Sequence, residues 1–107
     1  MRPLDQLEHT IQERKRAAAD TSYTARLLAA GVAKIGSKVV EEAAEVVEAA
    51  AEPGEEGRKH TIREAADVVY HLMVLLAARE ITLADVEAEL ARRFGMSGLQ
   101  EKASREK

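Results

Sequence analysis

Residues 32–79 read VAKIGSKVVEEAAEVVEAAAEPGEEGRKHTIREAADVVYHLMVLLAAR, two helix-forming runs joined at Pro53-Gly54, the clearest turn in the chain. The first run spans about Val32 to Glu52 and the second about Glu56 to Arg79. A turn this tight between two long helical runs predicts an antiparallel helical hairpin. In the second run, Val68, Val69, Leu72, Met73, Val74, Leu75 and Leu76 point in almost every direction around the helix. A helix apolar on all sides is buried on all sides. A chain of 107 residues has difficulty surrounding it alone, so a second subunit is expected to cover part of it, as a homodimer or larger homo-oligomer.

Outward from the hairpin, three more segments are predicted. Pro3 to Ala19 carries a thin apolar stripe of Leu4, Leu7 and Ile11, with proline in its first turn. Asp20-Thr21-Ser22 then offers caps for a short helix from Tyr23 to Ala30 that stops at Gly31. Thr82-Leu83-Ala84-Asp85 reads as a capping box opening a last helix, with Leu83, Val86, Leu90 and Phe94 on one face and Gly95 at its end. The expected architecture is all-α: a small bundle of about five helices over residues 1–95, followed by a loose polar tail at 96–107. Composition agrees, because 20 alanines and 15 glutamates favour helix over strand.

Several function classes are excluded at this stage. Sixteen basic against 19 acidic residues give a net charge of −3, which argues against nucleic acid and anionic membranes as partners. No cysteine means no disulfide framework and no thiolate metal site. The first residues lack the apolar core of a signal peptide, and the run from Val68 to Ala78 is too short to span a bilayer. A cytoplasmic protein is expected. There is no GxSxG elbow, no HExxH and no glycine-rich phosphate loop.

What remains is the acids. The first run carries Glu41-Glu42-Ala43-Ala44-Glu45 and the second Glu64-Ala65-Ala66-Asp67. Taken separately, each fits a solvated helix face, such as the one formed by Lys34, Lys38, Glu41, Glu45, Glu48 and Glu52. Together they say more. With the turn centred near Glu55, Glu45 and Glu64 stand at one height in the hairpin, and Glu42 and Asp67 at another. Four carboxylates then converge between the helices. Asp67 sits on the helix expected to be buried, where an ionised carboxylate is costly unless paired or metal-bound. Clustered carboxylates suit a hard divalent cation such as Mg²⁺, which shares its shell between carboxylates and substrate phosphates. Bound metal inverts the local charge and so admits an anionic substrate. Lys34 and Lys38, on the same face towards the N-terminus, either hold phosphate oxygens or pair with Glu41 or Glu42. His71 reads as a hydrogen-bonded core histidine or a substrate contact. Tyr70, about 100° away on the helix, reads as core or interface, and His9 and His60 have no informative neighbours. Gly36 reads as a close-packing site.

The run Ser22-Tyr23-Thr24, Lys34-Ile35, Lys38-Val39-Val40-Glu41-Glu42-Ala43-Ala44-Glu45, then Glu64-Ala65-Ala66-Asp67-Val68-Val69-Tyr70-His71-Leu72, resembles the phosphoribosyl-ATP pyrophosphatase family of histidine biosynthesis. That family lies within the MazG-like all-α nucleotide pyrophosphohydrolases, whose signature is EExxE followed by ExxD. The resemblance covers about Leu4 to Arg93, and Ser97 to Arg105 resembles tails in the family. It implies Mg²⁺-dependent hydrolysis of phosphoribosyl-ATP to phosphoribosyl-AMP and pyrophosphate, with Mn²⁺ as a substitute metal. It implies Glu42, Glu45, Glu64 and Asp67 as metal ligands and Glu41 as the residue that orients or deprotonates the attacking water. Lys34 and Lys38 would meet phosphates, and Ser22, Tyr23, Thr24 and His71 would border the substrate. Glu48 stands where relatives often carry an apolar residue and reads as surface. Many relatives fuse this domain to a cyclohydrolase, which a chain of this length would not include. Two alternatives stay open: a general (deoxy)nucleoside triphosphate pyrophosphohydrolase, and a non-catalytic helical interaction protein.

Overall fold

The computed structural model describes residues 1–95 and 98–105. Among them are six helices and no strand: α1 (Pro3–Arg14), α2 (Tyr23–Ala30), α3 (Val32–Ala50), α4 (Gly54–Ala78), α5 (Leu83–Arg93) and α6 (Gly98–Arg105). The fold is all-α, and the antiparallel α3/α4 hairpin is its spine. Pro53 supplies an extended residue before α4, and Gly54 takes φ 71, so the chain reverses within a few residues. Helices α1 and α2 lie across the C-terminal half of α4. Ile11, Leu27, Ile35, Met73, Val74 and Ala77 form the core there, with Leu7, Leu28, Tyr70 and Leu83 packed around it. The opposite half of the hairpin, towards the turn, carries the acids.

Local chemistry accounts for the joints. Ser22 caps α2 by accepting the Ala25 N–H at 3.0 Å, and Gly31, at φ 97, ends α2 and opens α3. The Thr82/Asp85 capping box is complete in both directions. Two longer bonds tie the α1 region to the far end of α4 and the start of α5. Lys15 Nζ donates to the Ala77 carbonyl at 2.8 Å, and the Leu83 N–H donates to Glu8 Oε2 at 2.6 Å.

Two expectations are corrected, the end of α1 and the place of close packing. Helix α1 ends at Arg14 rather than Ala19, because beyond Ile11 residues 12–16 are exposed and no apolar face holds another turn to the core. The polar tail contributes α6 beyond the five helices of residues 1–95; Met96, Ser97, Glu106 and Lys107 lie outside the described residues. Gly36 has open space where a Cβ would stand, so it is not a close-packing site; that role falls to Gly57, where a Cβ would collide with the Glu52 carbonyl oxygen. Within one chain helix α4 is not covered on all sides: Val69 and Leu72 are 39% and 42% exposed. Val40 and Val47 on α3 and Ile62 on α4 are exposed as well, as are Leu90 on α5 and Phe94 just after it. Among the described residues, no helix is long and apolar enough to cross a membrane.

Candidate metal centre

The hairpin brings Glu42 of α3 and Glu64 and Asp67 of α4 together, each offering an oxygen within 4.8 Å of the others. One-turn spacing on α4 puts Glu64 and Asp67 on a common strip, and the tight turn sets Glu42 opposite them. Glu45 lies one turn further along α3, its carboxyl against those of Glu64 and Glu42. Burial divides the group. Glu42 and Glu64 are half-buried, and each has one carboxylate oxygen, Oε2, that is fully buried without a hydrogen-bond partner. Asp67 is exposed, contrary to the burial expected from its apolar neighbours, because its strip of α4 faces the open mouth of the cluster rather than the core.

Among the described residues, no lysine or arginine pairs with these four acids. The consequence is electrostatic. Burial, then the carboxylates of Glu45, Glu64 and Asp67, push the Glu42 carboxyl up to about 7. Glu45 is raised too, first by Glu64. Two buried, unpartnered oxygens among crowded acids are costly to maintain, and a cation placed between them relieves both costs. The donor set is oxygen throughout, which suits Mg²⁺ or Mn²⁺ and not a soft metal.

Glu41 lies outside this group. It is exposed and sits 3.4 Å from Lys38 Nζ, the ion pair that its spacing allowed. Lys34 is exposed one turn further out. Neither lysine enters the carboxylate cluster.

The Ser22-Tyr23-Thr24 segment meets α4 at a second cluster. His71 is 6% exposed, with Nδ1 3.0 Å from the Asp67 carbonyl oxygen and Nε2 3.0 Å from the Tyr23 hydroxyl. A carbonyl only accepts, so Nδ1 carries the proton and Nε2 accepts from Tyr23. The neighbouring Thr24 and Tyr70 hydroxyls are hydrogen-bonded to each other. The Tyr23 and Tyr70 rings stack at 6.2 Å, and the imidazole meets Tyr70 edge-on at 5.0 Å. These bonds clamp α2 to α4 beside Asp67. Ser22 is used as a cap, and His71 has both nitrogens engaged inside the protein.

Two residues of the site escaped the sequence reading. Tyr70 belongs to the clamp, through Thr24, a partner 46 positions away that no local pattern reveals. His60 faces Glu64, at Nε2–Oε1 3.4 Å, and also Glu52, at Nδ1–Oε1 3.0 Å. Its i, i+4 spacing to Glu64 was the available signal.

Fold and site together define a class: an all-helical protein whose hairpin gathers carboxylates able to hold a divalent cation. The family model for phosphoribosyl-ATP pyrophosphohydrolase matches residues 4–94. The phosphoribosyl-ATP pyrophosphatase of Rhodopirellula baltica is 54% identical over 103 residues, covering 96% of this chain and 86% of that one. The phosphoribosyl-ATP pyrophosphatase of Paracoccus denitrificans is 54% identical over 102 residues, covering 95% and 92%. That of Dinoroseobacter shibae is 53% identical over 105 residues, covering 98% and 100%. The chain belongs to the phosphoribosyl-ATP pyrophosphohydrolase family and is a hydrolase.

Proposed function

We propose that this chain hydrolyses phosphoribosyl-ATP to phosphoribosyl-AMP and pyrophosphate in histidine biosynthesis, in the cytoplasm, with Mg²⁺ as cofactor and Mn²⁺ as a substitute. The observation that carries the metal is the pair of buried, unpartnered oxygens on Glu42 and Glu64, two acids that the hairpin brings together with Asp67. Family membership and the names of relatives at 53–54% identity support the substrate.

Glu42, Glu64 and Asp67 would hold the metal, with Glu45 completing the set from the adjoining turn. The metal supplies neutralisation of phosphate charge and a water of lowered pKa. Water adds across the anhydride bond between the α and β phosphates, and pyrophosphate leaves. Glu41 is exposed beside the cluster, where its carboxylate orients the incoming water or takes its proton. Lys34 and Lys38 meet the phosphates, Lys38 exchanging its pairing with Glu41 for the substrate. The clamp of Tyr23, Thr24, Tyr70 and His71 fixes α2 beside the cluster, so that the Ser22–Thr24 segment borders the substrate without giving up its internal bonds.

The working unit is a homodimer or larger. Val40 and Val47 on α3 and Ile62, Val69 and Leu72 on α4 are exposed apolar side chains, some of which a second copy would cover. Light scattering should give a mass well above 11.7 kDa at micromolar concentration; a mass at that value removes this part of the reading. The substrate is tested by pyrophosphate release in Mg²⁺, comparing phosphoribosyl-ATP with ordinary nucleoside and deoxynucleoside triphosphates. Phosphoribosyl-ATP should be turned over far faster. Preference for a plain deoxynucleotide makes the chain a general nucleotide pyrophosphohydrolase, and no release from any of them leaves a non-catalytic protein.

A further inference from the structure

We infer that His60 is a positioning residue for the metal centre, steering Glu64 so that one of its oxygens is reserved for the cation. The inference rests on the metal-dependent reading above. The two oxygens of Glu64 have different surroundings. Oε1 stands 3.4 Å from His60 Nε2, whereas Oε2 is buried with no hydrogen-bond partner. An imidazole set against one oxygen restricts the carboxylate's rotation about its terminal torsion. Its other oxygen is then fixed in the buried position it occupies, with no partner in the protein. Carboxylates that ligate metals are commonly oriented by an outer neighbour, and losing such a neighbour costs about 10–100-fold in metal affinity.

His60 is itself anchored. Its Nδ1 lies 3.0 and 3.1 Å from the two oxygens of Glu52, in the turn between α3 and α4. The imidazole spans Glu52 and Glu64 because its two nitrogens point to different sides of a rigid ring; a flexible lysine would fold onto one acid or the other. Glu52 reaches the ring because residue 57 is glycine. A Cβ there would collide with the Glu52 carbonyl oxygen, so any side chain would push the turn away from α4. Glu52, Gly57, His60 and Glu64 thus form a continuous brace from the hairpin turn to the metal centre. His60 is about a third exposed and Glu64 is 16% exposed, so the brace closes the turn side of the cluster against solvent.

The test is Mn²⁺ binding to the full chain, read from the electron paramagnetic resonance signal of free Mn²⁺, with far-ultraviolet circular dichroism to follow the fold. Wild type should bind and Glu64→Gln should not. His60→Ala should bind about tenfold or more weakly with helicity unchanged, and His60→Gln, which keeps an amide donor, should recover part of the loss. Glu52→Gln, which loosens only the anchor, should weaken binding by a smaller factor and carries the test if His60→Ala fails to fold. His60→Ala binding within twofold of wild type overturns the inference, as does tighter binding, which would mean that the ring merely repels the cation. In either case the metal site itself stands. Absence of Mn²⁺ binding by wild type overturns the metal-dependent reading and this inference with it.

Discussion

Replacing Glu42 by glutamine should make the metal-free protein more stable at pH 8 while removing its response to metal. The argument starts from the displacement of the Glu42 carboxyl from 4.5 to about 7, caused by burial and then by Glu45, Glu64 and Asp67. Because the folded state holds this proton more tightly than the unfolded state, the group's contribution is favourable below pH 4.5 and is lost as pH rises towards 7. The displacement corresponds to about 3 kcal/mol if expressed in full. Glu42 is only half-buried, and solvent screening brings the expected gain for Glu42→Gln to about 1–2 kcal/mol at pH 8. For a chain of this size that is roughly 5–10 °C in Tm. Melting curves in a chelator at pH 5 and pH 8 measure it. At pH 5 the wild-type carboxyl is already protonated in the folded state, so the two proteins should differ little. Addition of Mg²⁺ at pH 8 should then raise the wild-type Tm and leave the variant nearly unmoved. A Glu42→Gln protein that is less stable than wild type at pH 8 in the chelator would refute the claim that these carboxylates are crowded without a partner.

Further expectations follow from other contacts. Asp67→Asn, at an exposed position, should abolish turnover with the melting temperature preserved, and near-normal turnover would remove Asp67 from the site. Gly57→Ala drives a methyl group into the Glu52 carbonyl oxygen and should cost about 1–3 kcal/mol in urea unfolding; an unchanged midpoint contradicts the close approach of turn and helix. Tyr23→Phe removes the donor to His71 Nε2, leaving a buried acceptor unpaired, at about 1–2 kcal/mol. Equal stability of Tyr23→Phe and wild type would mean that the hydroxyl bond does not hold α2 to α4.

The hairpin was legible because its signals are local: Pro53-Gly54 marks the reversal, and counting residues outward from it sets Glu42 and Asp67 level. The Thr82/Asp85 box and the Ser22 cap were legible for the same reason, since both close within three residues. The burial of individual acids was not. Periodicity counts Val68 and Val69 as apolar neighbours of Asp67, but whether a strip of helix meets the core or the mouth of a cleft depends on where α1 and α2 come to lie. The clamp of Thr24 on Tyr70 joins residues 46 positions apart and leaves no mark on either segment. The close-packing glycine was misplaced for a related reason. Gly36 and Gly57 are both helical glycines, and only the path of the turn past Glu52 tells them apart. Polarity alone left the order of the tail open; α6 forms there because Gln, Glu, Lys, Ala and Arg favour helix whether or not a face is buried.

The central claim is that the hairpin carboxylates hold a divalent cation that hydrolysis requires. Pyrophosphate release from phosphoribosyl-ATP, measured on chelator-treated protein as Mg²⁺ is added back, tests it most directly. Turnover should be absent without metal, rise to saturation with Mg²⁺ or Mn²⁺, and fail to return in Asp67→Asn. Undiminished turnover in excess chelator, or full Mg²⁺-dependent turnover by Asp67→Asn, would contradict it.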